Sequence, residues 1–200
     1  MRWGKPNGRD NRPLPGTTRD DIGIRYAFDG EGADGMAQLG DWMAKLTGTT
    51  APASVVLIRL YVGAVFLVEG ILKFLRSHAL GTGRFDKAGI PAPDFFALLD
   101  GVFEIVCGVL VLVGLLTRLA VVPMVVDMLG ALLITKVPIL WGGSGLFRGE
   151  SGWWDLAHEA RLDFAQLCGS LFLFIVGAGA LSLDASLHRR RVRPAAAGQE

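Results

Sequence analysis

Apolar residues in this chain are gathered into blocks and are not spread at a surface-helix or strand spacing. Four such blocks follow a polar first quarter, at about 53–75, 95–116, 119–140 and 160–183. A helix of about 20 apolar residues crosses the roughly 30 Å hydrocarbon core of a bilayer. The pattern therefore predicts an all-α fold, an integral membrane antiparallel four-helix bundle. Thr117–Arg118 leaves only a very short turn between the second and third blocks, so those two spans must be antiparallel neighbours. Pro123 falls in the first turn of the third block and Pro138 near its end, where each costs little. The connection SHALGTGRFDKAGIPAPD carries turn signals, and the Gly-rich loop WGGSGLFRGESGWWD leads into the fourth block.

Residues 1–50 read differently. Their seven basic and seven acidic residues cancel, Gly and Pro are frequent, and no apolar run is long, which predicts a largely disordered tail. Within it, Met36, Leu39, Trp42, Met43 and Leu46 follow an i, i+3, i+4, i+7 pattern. The segment 36–46 is thus read as an amphipathic helix in the membrane interface or as a soluble turn docking on the rest. No signal-peptide core precedes the first block, which then acts as its own uncleaved anchor. The organisation expected is a tail over 1–50, a four-span domain over 51–187 and a basic tail over 188–200. With an even number of spans, Arg189, Arg190, Arg191 and Arg193 place both termini on the cytoplasmic side, against the opposing signal of Arg76, Arg84 and Lys87. Trp141, Trp153 and Trp154 would form an aromatic belt at the outer surface. The expected location is a membrane with its cytoplasmic side at both termini.

Composition adds little to this. The chain is 51% hydrophobic before its 27 glycines are counted, and its net charge of +1 gives no preference for nucleic acid. Cys107 and Cys168 lie in different blocks without a CxxC spacing and read as small hydrophobes packed in the membrane. Gly101 with Gly108, and Ala165 with Gly169, mark faces where helices approach closely.

Charges inside the blocks carry the chemistry. A charge at the bilayer centre costs roughly 2.5–3.5 kcal/mol, so such residues need partners or a polar cavity. Glu69 and Lys73, and likewise Asp100 and Glu104, are i, i+4 pairs on one helix face. Lys136 stands near the outer end of the third block, and Arg161 and Asp163 open the fourth. Counted by helical rise, these seven residues share the outer half of the bundle. They predict either mutual neutralisation that fixes the packing register, or a polar pocket open to the outer side. Arg59 and Asp127 fall at similar inner depths and are expected to form a separate structural ion pair. His78, His158 and His188 sit at or beyond span ends, and no HExxH, GxGxxG or nucleophile–base motif is present. No metal and no bound cofactor are expected.

FLVEGILKF (66–74), RFDKAGIPAP (84–93), GVFEIVCGVLVLVGLLTRLA (101–120) and GAGALSLDASL (177–187) occur in an order and spacing that resemble the DoxX family of small bacterial four-helix membrane proteins. The resemblance covers about 53–187 and leaves out the N-terminal tail. By motif matching, Arg59, Glu69, Lys73, Glu104 and Arg118 correspond to the family's recurring polar positions. Glu69 stands where some members have His, which argues against His-dependent chemistry. Related DoxD-type proteins are subunits of a thiosulfate:quinone oxidoreductase, and some actinobacterial members associate with thiol and superoxide defence proteins. The resemblance thus implies a membrane subunit of a quinone- or thiol/sulfur-linked redox complex, with quinone as the candidate cofactor and redox or respiratory proteins, or further copies of the chain, as partners. The alternatives are a scaffold recruiting a soluble partner through residues 1–50, and a small proton-coupled carrier.

Overall fold

The computed structural model describes residues 51–196, with side chains through Arg189, together with Gly35, Gly40, Trp42 and Gly48. The chain divides into two compact units, 1–42 and 43–200. In the first, Trp42 is helical and exposed; the helix expected over 36–46 otherwise lies outside the described residues, as does most of the tail. The second unit is helical, with no strand among the described residues.

Three helices of this unit are long and apolar enough to cross a membrane. They are α1 (Val55–Leu75), α4 (Pro93–Val113) and α5 (Thr117–Gly130), the last prolonged by a π-helical turn, Ala131–Lys136, and a 3-10 turn, Val137–Trp141. A fourth long helix, α6 (Trp153–Val176), carries Asp155, Glu159, Arg161 and Asp163 in its first half. Two short helices, α2 (Ser77–Leu80) and α3 (Thr82–Lys87), fill the first connection, and α7 (Leu183–Ala196) ends the described chain.

α1 and α4 form the closest pair because glycines remove the side chains between them. A Cβ on Gly108 would lie 2.8 Å from the Leu67 backbone nitrogen, and one on Gly70 would lie 3.0 Å from the Gly101 carbonyl oxygen. Gly63 meets Gly108 and Leu112 whereas Gly70 meets Gly101 and Glu104, so these two helices run in opposite directions. Gly169 of α6 approaches Val62 of α1 in the same way. Around this contact Val62, Phe66, Val111, Val121, Met124 and Leu173 make the apolar core. Cys107 is buried in it, Cys168 is exposed, and the two are free thiols.

The turn between α4 and α5 is built from a distance. Gly114 and Leu116 both adopt left-handed backbone, at φ 69° and 48°, the latter unfavourable for a residue with a Cβ. α5 has no N-cap side chain of its own. Asp184, at the start of α7, supplies one: its carboxylate accepts the N–H groups of Leu116 at 2.8 Å and Thr117 at 3.2 Å.

Two expected boundaries shift. Because α5 begins at Thr117, Pro123 lies in its second turn and leaves the Leu119 carbonyl without its usual donor. α6 begins and ends seven residues before the expected 160 and 183. Asp155 accepts the Ser151 N–H at 2.9 Å and starts the helix early, and Gly177 at φ 86° ends it although the apolar sequence continues. Trp141, Trp153 and Trp154 are all exposed where α5 ends and α6 begins.

Candidate functional site

Helix spacing and packing bring the charged residues of four helices to one place. A cavity of about 950 Å³ is lined by Glu69, Lys73, Asp100, Glu104, Lys136, Arg161 and Asp163, together with Arg84, Asp127 and Glu159. Its remaining wall is largely apolar and includes Phe66, Phe96, Phe103, Met124 and Ile134.

The floor is a cluster around Lys73. Its ammonium pairs with Asp100 and lies 2.7 Å from Glu104 Oε2. The four-residue spacing of Asp100 and Glu104 turns both carboxylates toward Lys73 across the α1–α4 contact that the glycines permit. α5 adds Asp127, so that carboxylate oxygens of Asp100, Glu104 and Asp127 lie within 4.8 Å of one another. One cation thus faces three carboxylates, of which Glu104 is only 4% exposed. Carboxylates at this spacing would suit a hard cation, but Lys73 already occupies the position beside two of them. The cluster is better suited to holding and passing protons.

A second cluster stands at the α5–α6 side. Lys136 Nζ lies 3.6 Å from Glu159, 3.8 Å from Asp163 and 4.0 Å from the Phe147 ring centre. Lys136 is buried although it ends a helix, because the π turn inserts extra backbone just before it. Arg161 donates to the His158 carbonyl of its own helix and stays exposed at the rim. Below these, the buried Gln166 amide donates to the Val62 carbonyl at 3.3 Å.

Arg59 and Asp127, expected as an ion pair, are not brought together. The Arg59 guanidinium donates to the carbonyls of Val111, Leu112, Ala178 and Leu181. Those at 111 and 112 belong to the last turn of α4, where helix carbonyls lack helical donors and the dipole attracts a cation. The nearby carboxylate that attracts Arg59 is Asp184. Asp127 instead stands level with Glu104, because the turn at 114–116 leaves the two almost equally far along their helices. Glu159 and Arg84 were also not singled out from the sequence as pocket residues. Glu159 was legible in principle, since it precedes Asp163 by four and shares its helix face.

The fold and site thus define a helical membrane protein with an amphiphilic cavity within its helices. The DoxX family model matches residues 54–137. The "Uncharacterized membrane protein Rv3486" of Mycobacterium tuberculosis is 53% identical over 146 residues, covering 73% of this chain and 88% of that protein. The "Putative oxidoreductase CatD" of Bacillus subtilis is 30% identical over 128 residues, 64% of this chain and 82% of that one. An uncharacterized protein of Haemophilus influenzae is 33% identical over 135 residues, 66% and 90% of the two chains. No solved structure matches. The chain belongs to the DoxX family.

Proposed function

We propose that this chain is the quinone-handling membrane subunit of a redox complex, and that the cavity takes the quinone head. The observation that carries the reading is the union, in one cavity, of an apolar wall with a Lys73–carboxylate floor. Its volume lies in the range of about 300–1,000 Å³ usual for small-molecule sites. Lys73 can donate to a quinone carbonyl, and Glu104 and Asp127 can hold the protons that accompany reduction. Electrons would come from a redox-active partner, since quinone reduction takes two electrons and two protons. Six carboxylates against four cations line the cavity. That balance favours a neutral head over a small sulfur oxyanion, and so the quinone-linked over the sulfur-binding variant. The name of the Bacillus subtilis relative also supports a redox setting.

In this reading the four long helices form an antiparallel bundle across the bacterial inner membrane, with both termini cytoplasmic and the cavity in the outer half. Recruitment of a partner through residues 1–50 concerns a segment outside the described residues. The test is titration of the purified chain in lipid nanodiscs with a short-tailed quinone, read by quenching of its tryptophan fluorescence. Saturable binding is expected, weakened about tenfold by Glu104→Gln, as for loss of one hydrogen bond to a charged group. No saturable binding, or equal binding by the variant, would defeat the reading.

A further inference from the structure

We propose that the cavity is entered sideways from the hydrocarbon of the bilayer, through an apolar gap between α4 and the irregular end of α5, by a quinone whose lipid tail remains in that gap. This rests on the quinone reading and adds the route and the substrate's tail.

α1 packs on α4 and α6, and α5 packs on α4 and α6, so four inter-helix seams surround the cavity. α4 and α5 are joined at the 114–116 turn, but the π and 3-10 segments that prolong α5 pack on α6. Toward the Lys73 end the two helices therefore part, and the gap is bounded at its far end by the 82–91 segment, which packs on α4 and touches the loop after α5 where Lys87 meets Gly145. Leu99 and Phe103 of α4, and Val126 and Ile134 of α5, line the cavity there. They are also 39%, 46%, 64% and 50% exposed, whereas Phe66 and Met124 of the same cavity are at most 2% exposed. Side chains that line an interior cavity and face outward at once are the rim of an opening.

Gly130 supplies an independent observation. It lines the cavity between Val126 and Ile134, and a Cβ built on it would meet nothing within 4 Å. The other interhelical glycines, in contrast, are filled by neighbours at van der Waals contact or closer. Gly130 therefore borders open space.

The seam between α1 and α6 has the opposite chemistry. Its cavity-lining residues include Glu69, Arg161 and Asp163. The cavity thus has one apolar rim and one charged rim. A tail already dissolved in hydrocarbon enters by the apolar rim without leaving an apolar medium. Protons and water are served by the charged rim, where polar side chains can pass them to the Lys73 cluster.

The experiment compares a long-tailed prenyl quinone with a tail-less analogue in nanodiscs, using the full chain and a Gly130→Trp variant whose indole would occupy the gap. The ratio of the two affinities should shift by about tenfold or more toward the tail-less compound, equal to about 1.4 kcal/mol. An unchanged ratio overturns lateral entry. Failure of both compounds to bind the unsubstituted chain would instead count against the quinone reading itself. Because the variant could fail to fold, the unsubstituted chain is also irradiated with a quinone bearing a photoreactive group at its tail end. Adducts within 99–103 and 126–134 support the route; adducts confined to 80–91 or 159–163 overturn it.

Discussion

Arg59 and Asp184 show at the scale of single residues how this fold keeps charges away from lipid. Each is at most 3% exposed, and each hydrogen-bonds backbone groups at helix ends and in the turns beside them. Asp184 does the work of an N-cap although it lies 67 residues from Thr117. Asp184→Leu should therefore lose both the cap, worth about 1–2 kcal/mol, and the compensation of Arg59. Asp184→Asn keeps an acceptor and should cost clearly less. Thermal unfolding in detergent reads the difference, and equal losses would show that the cap is unimportant. Lys73 makes a second case. Lys73→Met leaves Asp100, Glu104 and Asp127 without their shared cation, a loss of about 3–5 kcal/mol for breaking a buried pair. In the double variant Lys73→Met/Glu104→Gln one of those stranded charges is gone. Its cost should fall below the sum of the single variants, and strict additivity would place Glu104 outside the cluster.

At the scale of elements, the α1–α4 contact and the end of α5 decide the shape of the site. Gly108→Val would drive a side chain into the Leu67 backbone, which cannot move aside as a flexible side chain would. The pair should separate, lowering the detergent melting temperature and opening the Lys73–Glu104 contact. Gly130→Val, placed where nothing stands within 4 Å, should leave the melting temperature nearly unchanged. Equal effects at the two glycines would contradict the packing described. The helical blocks and the pocket-forming charges were legible in the sequence because hydropathy and i, i+4 spacing are local properties. Asp127 was misplaced because its depth was counted from an assumed start at 119 and its rotation about α5 could not be counted at all. The end of α5 was also illegible. Pro138 lacks an N–H for the Ile134 carbonyl, and the helix widens into a π turn and then tightens, which turns Lys136 inward. Block hydropathy does not register such a change of pitch. Arg59 was read as needing a carboxylate across the bundle because free carbonyls at a helix end leave no mark in the sequence.

The whole molecule sets α6 apart from the other long helices. α1, α4 and α5 are apolar enough to cross a membrane on composition alone, whereas α6 carries its charges in its first half. Two of those charges face a partner already in place, Glu159 and Asp163 meeting Lys136, and the polar Gln166 meets Val62. Intramembrane charge is tolerated when it faces a bundle interior, so α6 is expected to insert by packing on α1 and α5 and not independently. In the proposed topology α6 is inserted, the chain crosses an even number of times, and Arg118 and Arg189 lie on the side of both termini. A reporter that fluoresces only in the cytoplasm should be bright when fused after Glu200, and an enzyme active only outside should work when inserted beside Arg148. Lys136→Met removes the cation that α6 pairs with on α5. The fluorescence of the Glu200 fusion should then fall, because an α6 that fails to insert leaves the C-terminus on the outer side. A dark fusion in the unsubstituted chain would show that α6 does not cross. An unchanged signal in Lys136→Met would show that α6 inserts by its own hydrophobicity, and that the Lys136 cluster serves the cavity rather than assembly.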